Sequence, residues 1–512
     1  MKLLFVHPGP LLYTNVFLRL EPLGLELVAE AARRGKHSVR LIDVQAESQG
    51  AYHRMIAEWR PDFIAFSCNY LANVPEIVDL AVATKIVLPR SFICVGGHSA
   101  SFIAETILEH GQSAIDCVLK GEGEANIVVL LEAVANDVHA IPKVPGAVTA
   151  DGSGPPPQFV EHLDDLRPAR DLGRNRHKYF LGPLDPCASI EFSRGCPWDC
   201  SFCSAWTFYG RSYRNLSPER IVEDLASIRE DGIFIVDDVA FIQERHAFAI
   251  GEAIARKNIR KNYYLETRGD VLLRNKEAFK FWKELGVTQI FLGLEAIDED
   301  GLRKYRKRIP LGRNFEALEF ARSLGVYVAI NLIADPDCQE RFRVVRDWCM
   351  DVPEVVNISI NTPYPGTETW LTEQRRLQTR DYRLFDIQHA VLPTKLPLDV
   401  FYQELLDTQW VLYRRHLNWR TTPKLARVLL RNLSRGQINL IRGMMNYKKV
   451  YNVEKMLADH ARPVRYELPS RAEPNTPIAR PALYIHAPRG RAARTIDDST
   501  ERFVDQSRVG SA

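Results

Sequence analysis

The sequence predicts an α/β protein in three parts: an N-terminal doubly wound domain, a central partial (β/α)6 barrel and a C-terminal helical region. Three observations carry this. Short apolar runs alternate with amphipathic, helix-length stretches twice, over residues 1–149 and again over 187–390. Such alternation gives parallel strands covered by helices. The stretch between them, 150–186, contains "GSGPPP" and keeps no steady period, which marks a linker. Beyond 391 the strand signals cease and helical patterns continue to about 465. A chain of 512 residues is too long for one core, so several domains are required.

In the first series, "KLLFV" (2–6), "SVRLID" (38–43), "FIAFS" (63–67), "FICVGG" (92–97) and "DCVLKG" (116–121) are strand-like. Between the first two, "PLGLELVAEAARRG" (22–35) is an amphipathic helix stopped by Gly35. Open sheets of this kind bind ligands beyond the carboxyl ends of their strands. The unusual residues collect there: "HPGP", "SCNY", "GGHS" and "GEGE".

The second series has six strand-like runs, at 188–193, 233–237, 262–267, 289–295, 327–333 and 355–361. The helix between the first two, 217–231, starts with Ser217 as N-cap and Pro218 in the first turn. Six units are too few for a closed eight-stranded barrel and suit one open on a side. Barrel chemistry lies at the carboxyl ends of strands, and Cys196 falls just past the end of the first.

The helical region, 391–465, contains a stretch between Asp407 and Glu454 with no acidic residue and ten Lys or Arg residues, leucine and tryptophan interleaved. The tail, 466–512, is rich in Pro, Arg and Ser and is predicted to lack fixed structure.

Composition excludes several classes. Hydrophobic content of 46% and charged content of 26% are those of a globular protein, and a net charge of +3 names no partner. No run is long enough to span a membrane and the N-terminus does not have the form of a signal peptide. Nine cysteines in this length make no disulfide framework, so a cytoplasmic protein with reduced thiols is expected.

Three of those thiols are grouped in "SRGCPWDCSFCSAW" (193–206), at Cys196, Cys200 and Cys203. A structural zinc site takes four ligands, usually in two pairs. A four-iron cluster normally takes four cysteines, and three leave one iron open for a substrate or cofactor. Cys187, Cys338 and Cys349 lie too far along the chain to extend the motif. Three structural thiols in a core loop are the alternative, but the Gly, Pro, Trp and Asp around them mark a tight loop instead.

A CxxxCxxC motif after the first strand of a partial barrel resembles that of the radical S-adenosylmethionine (SAM) enzymes, over about residues 187–390. The resemblance implies a 4Fe–4S cluster on Cys196, Cys200 and Cys203, with SAM on the open iron. Phe202 takes the place of the aromatic residue that touches adenine. "LETRGD" (265–270) resembles the segment whose arginine meets the SAM carboxylate, here Arg268. "GLEA" (293–296) resembles the one that puts a glutamate near the amine or ribose, here Glu295. "IFIVDDVAF" (233–241) and "TPYPGTETW" (362–370) resemble further family segments. A barrel-mouth ion pair is the other reading of Arg268 and Glu295.

An open α/β domain ahead of such a barrel resembles the cobalamin-dependent radical SAM enzymes. The resemblance implies cobalamin at Ser67, Asn69, Gly96, Gly97, Gly121 and Glu122. Glycine fits where a backbone must approach a large ring. The Asp-x-His-x-x-Gly motif of other cobalamin domains is absent from "VHPGPLLYT" (6–14), so neither His7 nor His98 is expected to ligate cobalt. An empty domain with tight-turn glycines is the alternative.

Within this family, residues 17–45, 66–81, 95–105 and 317–337 resemble the hopanoid C-3 methylases. That resemblance implies methylation at C-3 of a pentacyclic hopanoid lipid. One SAM would supply the 5′-deoxyadenosyl radical and another the methyl group, through methylcobalamin. Other outcomes are a cyclase or another C-methylase, an RNA-modifying radical SAM enzyme, or a cobalamin sensor without chemistry. Cys68, Cys94 and Cys117 do not form the second cluster motif of the RNA-modifying group, so no nucleic acid is expected. Partners are then the lipid substrate and a one-electron donor such as flavodoxin or ferredoxin. The basic helices suit peripheral contact at the inner membrane surface, or a solvated cap on the barrel. No side chain is singled out as catalytic.

Overall fold

The computed structural model describes residues 1–337, 341–415, 422–469 and 483–488. The N-terminal sheet has five parallel strands, β1 (Lys2–His7), β2 (Ser38–Asp43), β3 (Phe63–Ser67), β4 (Phe92–Gly96) and β5 (Cys117–Leu119), in the order β2-β1-β3-β4-β5. Strand alternation sends Leu4 and Val6 to one core, with Ile64 and Val95, and Leu3 and Phe5 to another, with Ala65 and Cys94. Helices cover both faces, so the strands are apolar almost throughout. These helices include α1 (Leu23–Arg34), α2 (Gln49–Trp59), α3 (Val74–Val87), α4 (Ala104–Gly111) and α5 (Gly123–Asn136). An antiparallel pair, β6 (Ala147–Thr149) and β7 (Gly152–Ser153), extends the β5 edge. The domain limit expected at 149 thus cuts a hairpin whose strands are too short to stand out in the sequence.

The connecting segment is fastened to both neighbours. Arg170 bridges Glu21 at 2.7 Å and Asp224 at 2.9 Å, and Arg176 bridges Glu21 and, at 2.9 Å, Glu230. Burial alone would push the Glu21 carboxyl up, but the two guanidiniums hold it at about 2. Phe180–Leu181 also pairs antiparallel with Leu18–Arg19.

The second sheet has six parallel strands in chain order: β8 (Cys187–Ile190), β9 (Gly232–Ile235), β10 (Asn262–Thr267), β11 (Val287–Glu295), β12 (Tyr327–Ala334) and β13 (Val355–Ile360). Its outer layer includes α6 (Pro218–Ser227), α7 (Glu244–Arg256), α8 (Lys276–Leu285), α9 (Leu311–Ser323) and α10 (Arg341–Met350). The Ser217 hydroxyl accepts from the Arg220 amide at 3.2 Å, the cap that the sequence predicts. β8 stops at Ile190, sooner than its apolar pattern suggests. Ser193–Arg194 turns away and pairs antiparallel with Arg214–Asn215, which closes the loop bearing the three cysteines.

Four C-terminal helices follow: α11 (Leu398–Arg414), α12 (Thr422–Ser434), α13 (Asn439–Val450) and α14 (Val453–His460). Part of the tail expected to lack structure is held in place. The Leu468 amide donates to the Arg380 carbonyl at 2.9 Å, and the Ile485 amide to the Thr207 carbonyl at 2.9 Å. The His486 ring stacks on Phe159, centroids 4.1 Å apart. "LYIHAP" (483–488) is an apolar patch that the Pro- and Arg-rich average conceals. Cys338 lies outside the described residues.

Candidate active site between the two sheets

The cysteine loop leaves the carboxyl end of β8 and is braced on every side. Gly195, at φ 96°, makes its first turn in a conformation that side chains avoid, and a Cβ there would strike the Ser212 carbonyl. Its amide donates to Asp238 at 3.1 Å. The Trp206 indole donates to the Cys200 carbonyl at 3.0 Å. Buried Asp199 meets Arg308 at 3.1 Å and Arg306 at 3.5 Å, which pins the loop to the segment after β11. Cys196, Cys200 and Cys203 enter one small cluster with Trp198, Phe202 and Val271. Burial pushes the Cys203 thiol up to about 12 and raises that of Cys196 as well. Among the described residues no group of side chains has the geometry to hold a single metal ion. A cubane takes one thiolate per iron, so its ligands stand farther apart than those of one ion. The donors fit it: three convergent thiols, Arg268 Nη1 3.7 Å from Cys200 Sγ, and the Ala205 amide 3.4 Å from Cys203 Sγ. Coordination would deprotonate the Cys196 and Cys203 thiols, which burial keeps neutral.

The barrel mouth beside this loop mixes both charges. Arg268 pairs with Asp270 at 2.9 Å, donates to the Lys307 carbonyl at 2.8 Å and lies over the Trp198 ring at 4.5 Å. Glu295 ends β11 at φ 68°, after a register shift against β12, and pairs with Lys307 at 3.0 Å. Asn331 also donates to Glu295, at 3.2 Å. Both predicted SAM residues therefore lie in ion pairs at the mouth, on one segment through Lys307. Phe202 meets Tyr305 edge-on, with centroids 5.6 Å apart. Lys307 and Glu266 escaped the sequence reading. Burial, with Asp238 and Glu295 nearby, raises Glu266 to about 7. Carboxylates beside Arg268 and Lys307 match a ligand that is both ammonium and carboxylate at one end and sulfonium at its centre.

Across from the mouth, a cavity of about 270 Å³ opens at the carboxyl ends of β3, β4 and β5. Ser67, Asn69, Gly96, Gly97, Gly121 and Glu122 all line it. Gly97, at φ 108°, leaves no room for a Cβ, which would stand 2.7 Å from Asn69 Oδ1. Leu25, Val28 and Ile127 from α1 and α5 make an apolar inner wall, and Glu191, Arg194, Phe208 and Tyr209 close the barrel side. An apolar recess behind a polar, glycine-edged rim suits a corrin with amide arms and an aromatic tail base. Arg194, unpredicted, joins the domains: it meets Glu122 at 3.2 Å, Glu124 at 3.1 Å and Glu191 at 2.7 Å. Burial would raise Glu122, but Arg194 and Arg214 hold it at about 2. His7 is buried but does not line the cavity; His98 does.

A second cavity of about 270 Å³ shares Asn69 and His98 with the first. Leu11, Leu71, Phe102, Phe385 and Ile387 give it an apolar lining, and Ser204, next to Cys203, forms part of its wall. Tyr70, also in the lining, is near enough to Glu266 for that carboxylate to help burial raise its phenol. This cavity therefore touches the cysteine loop and the first cavity, and its Tyr70 wall lies near the barrel mouth.

Comparison with known proteins agrees with this geometry. Residues 10–131 match the B12 binding domain and residues 190–347 the radical SAM superfamily. The structure of the cobalamin-dependent radical SAM enzyme OxsB, with aqua-cobalamin and SAM bound, shares the fold at a TM-score of 0.65 and 18% identity, over 90% of this chain and 74% of that one. Fold and site define a cobalamin-dependent radical SAM methyltransferase that takes a 4Fe–4S cluster, SAM and cobalamin. Hopanoid C-3 methylase of Methylococcus capsulatus is 62% identical over the whole of both chains. The anaerobic magnesium-protoporphyrin IX monomethyl ester cyclase of Cereibacter sphaeroides is 29% identical over 84% of this chain and 74% of its own. The chain belongs to the hopanoid C-3 methylase family.

Proposed function

We propose that this enzyme methylates C-3 of a pentacyclic hopanoid lipid, the ring that bears C-3 held in the second cavity. The observation that supports this reading is the cavity's position: it is mostly apolar, it adjoins the cysteine loop and the cobalamin-type cavity, and its Tyr70 wall lies near the barrel mouth. A C–H bond held there can meet a radical from one side and a methyl donor from another. Cys196, Cys200 and Cys203 hold the cluster. Phe202, Arg268 and Glu295 hold SAM, the pairs to Asp270 and Lys307 keeping the last two in place. Ser67, Asn69, Gly96, Gly97, Gly121 and Glu122 form the rim around cobalamin, with no histidine on the cobalt. When bound, the cluster supplies the electron that cleaves SAM to the 5′-deoxyadenosyl radical, and cobalamin supplies the methyl group. The chain's own residues orient the reactants and exclude water from them.

The electron comes from a small donor such as flavodoxin or ferredoxin, and the lipid is met by peripheral contact with a membrane. Among the described residues no helix is long and apolar enough to cross one. The test is anaerobic reconstitution with iron, sulfide, methylcobalamin, SAM, a reductant and a hopanoid, read by mass spectrometry. One added methyl group located at C-3 supports the proposal; an unchanged lipid beside active SAM cleavage rejects the substrate.

A further inference from the structure

The outer surface of the C-terminal helices takes no part in the site, yet its chemistry is distinctive. The stretch between Asp407 and Glu454 has ten Lys or Arg residues and no acidic residue. On α13 the residues spaced by four, Asn439, Gly443 and Tyr447, face the protein. Asn439 donates to Asp185 at 2.8 Å, Gly443 lies against the Val16 carbonyl where a Cβ would collide, and Tyr447 meets Phe17 edge-on at 6.2 Å. The opposite face carries Met445, 72% exposed, and Met444, 38% exposed, with Lys448 and Lys449 one turn further on. On α12 only Asn432 is buried among the described side chains, while Leu430 is 67% exposed and Leu433 51%, between Arg427 and Arg431 on one side and Arg435 on the other. Trp410, at the end of α11, lies beneath two cations, Lys448 at 5.7 Å and Arg414 at 5.9 Å. Tyr413 stacks with Trp410 and with Tyr447, at 6.4 and 6.0 Å.

Bare leucines and methionines among cations, beside a stacked tryptophan and tyrosine, are the composition of an interfacial surface. The face also abuts the wall of the second cavity. Its inner side rests on Val16 and Phe17, and Leu11 and Tyr13, a few residues earlier, line that cavity. We infer that the outer faces of α12 and α13, with the end of α11, dock on an anionic phospholipid bilayer and bring the second cavity's wall to the lipid. This rests on the proposed lipid substrate, but the surface can be tested without it.

The test is co-sedimentation of the full-length protein with vesicles of phosphatidylcholine alone or with phosphatidylglycerol. Binding should require phosphatidylglycerol and weaken with salt. Each neutralised cation should cost about fivefold in affinity, so Arg431→Gln/Lys448→Gln/Lys449→Gln should lose on the order of a hundredfold. The counterpart Lys448→Arg/Lys449→Arg should bind as wild type. Leu430→Asp/Met445→Asp should abolish binding while leaving SAM cleavage and methylation of detergent-dispersed substrate intact. Equal binding to both vesicle types, or unaltered binding by the triple variant, overturns the inference. So does a lipid-free dimer that the aspartates break, which would make the face a contact between copies, or tight RNA binding that competes with vesicles. Vesicle binding without any hopanoid product would leave docking standing and remove the substrate proposal; product formed without vesicle binding would do the reverse.

Discussion

His98 Nε2 stands 2.7 Å from Ser204 Oγ, a hydrogen bond that ties the carboxyl end of β4 to the residue after Cys203. The ring also stacks on Phe208 at 4.6 Å. Burial pushes His98 down to about 4, so it is neutral near pH 7. The bond aligns the cobalamin-side cavity with the cysteine loop, so its loss should uncouple the two halves rather than unfold either. Ser204→Ala should lower methylated product per 5′-deoxyadenosine about fivefold, the weight of one neutral hydrogen bond, and His98→Ala should add little to it. Electron paramagnetic resonance of the cob(II)alamin form should show no nitrogen splitting in either variant or in wild type. A splitting in wild type that vanishes in His98→Ala would make His98 the cobalt ligand and overthrow this account.

Glu266 ionises near pH 7 because burial, then Asp238 and Glu295, disfavour its charge. SAM bound there as proposed would bring positive charge to that mouth and favour the carboxylate. Below about pH 7 Glu266 is neutral and SAM must displace its proton to gain the contact; above it the carboxylate is already present. SAM affinity should rise about tenfold as pH climbs through 7, one pK unit of coupling, and then level off. Titration calorimetry in two buffers of different ionisation heat should show proton release on the acid side. Glu266→Gln should flatten the profile at the weaker value; a variant with the wild-type slope would place the titrating group elsewhere.

Much of the candidate site is legible in the sequence, for reasons that differ by residue. The cysteines show themselves because their chemistry is bound to a local spacing. Gly96, Gly97 and Gly121 show themselves because they follow strands whose apolar runs are unmistakable. Lys307, Glu266 and Arg194 did not, because each acts through partners far along the chain: Lys307 on Glu295 across a bulge, Arg194 on Glu122 from the other domain. Bulges and interdomain pairs leave no periodic trace. The 483–488 segment does not stand out because its apolar residues are diluted in a long Pro- and Arg-rich tail, whereas it docks through ring contacts of Tyr484 and His486, two backbone hydrogen bonds and the Glu122 amide donating to His486 Nε2.

The second cavity can be filled without touching the first. Ile387 lines it from the C-terminal loop and Leu11 from the segment after β1, and neither borders the cobalamin-side cavity. Ile387→Trp and Leu11→Phe should retain wild-type cobalamin loading and substrate-free SAM cleavage, while methylation falls at least tenfold. Loss of cobalamin in both variants, read from the visible spectrum, would assign this cavity to the corrin instead of the substrate.

His389 lies between Asp386, at 2.9 Å, and Asp459, at 3.5 Å, and anchors α14 to the cavity loop. Burial alone would push it down, but the two carboxylates raise it from 6.5 to about 9. A raised histidine stabilises the fold fully below its unfolded value of 6.5 and loses that contribution as pH rises through about 9. The shift corresponds to on the order of 3 kcal/mol at most. Thermal unfolding should therefore show Tm falling between about pH 7 and 9.5, and His389→Asn should be less stable at pH 7 with that fall removed. A histidine-free variant that keeps the same pH slope would locate the linkage in another group.

The division of labour between two SAM molecules is the last expectation. A saturated ring carbon has no lone pair, so it cannot attack the methyl group of SAM; its C–H bond must first be broken homolytically. The arrangement of the chain suits that order, with the cysteine loop and barrel mouth on one side of the second cavity and the glycine-edged rim on another. Each methylated lipid should therefore be accompanied by one methionine with one 5′-deoxyadenosine, and by one S-adenosylhomocysteine, once uncoupled cleavage is subtracted. Deuterium placed at C-3 of the substrate should appear in 5′-deoxyadenosine. Cys196→Ala/Cys200→Ala/Cys203→Ala should lose bound iron and 5′-deoxyadenosine together, whereas Cys187→Ala should keep both, since Cys187 lies within β8. If the label stays in the methylated lipid and S-adenosylhomocysteine is the sole nucleoside product, the radical route is wrong for this enzyme.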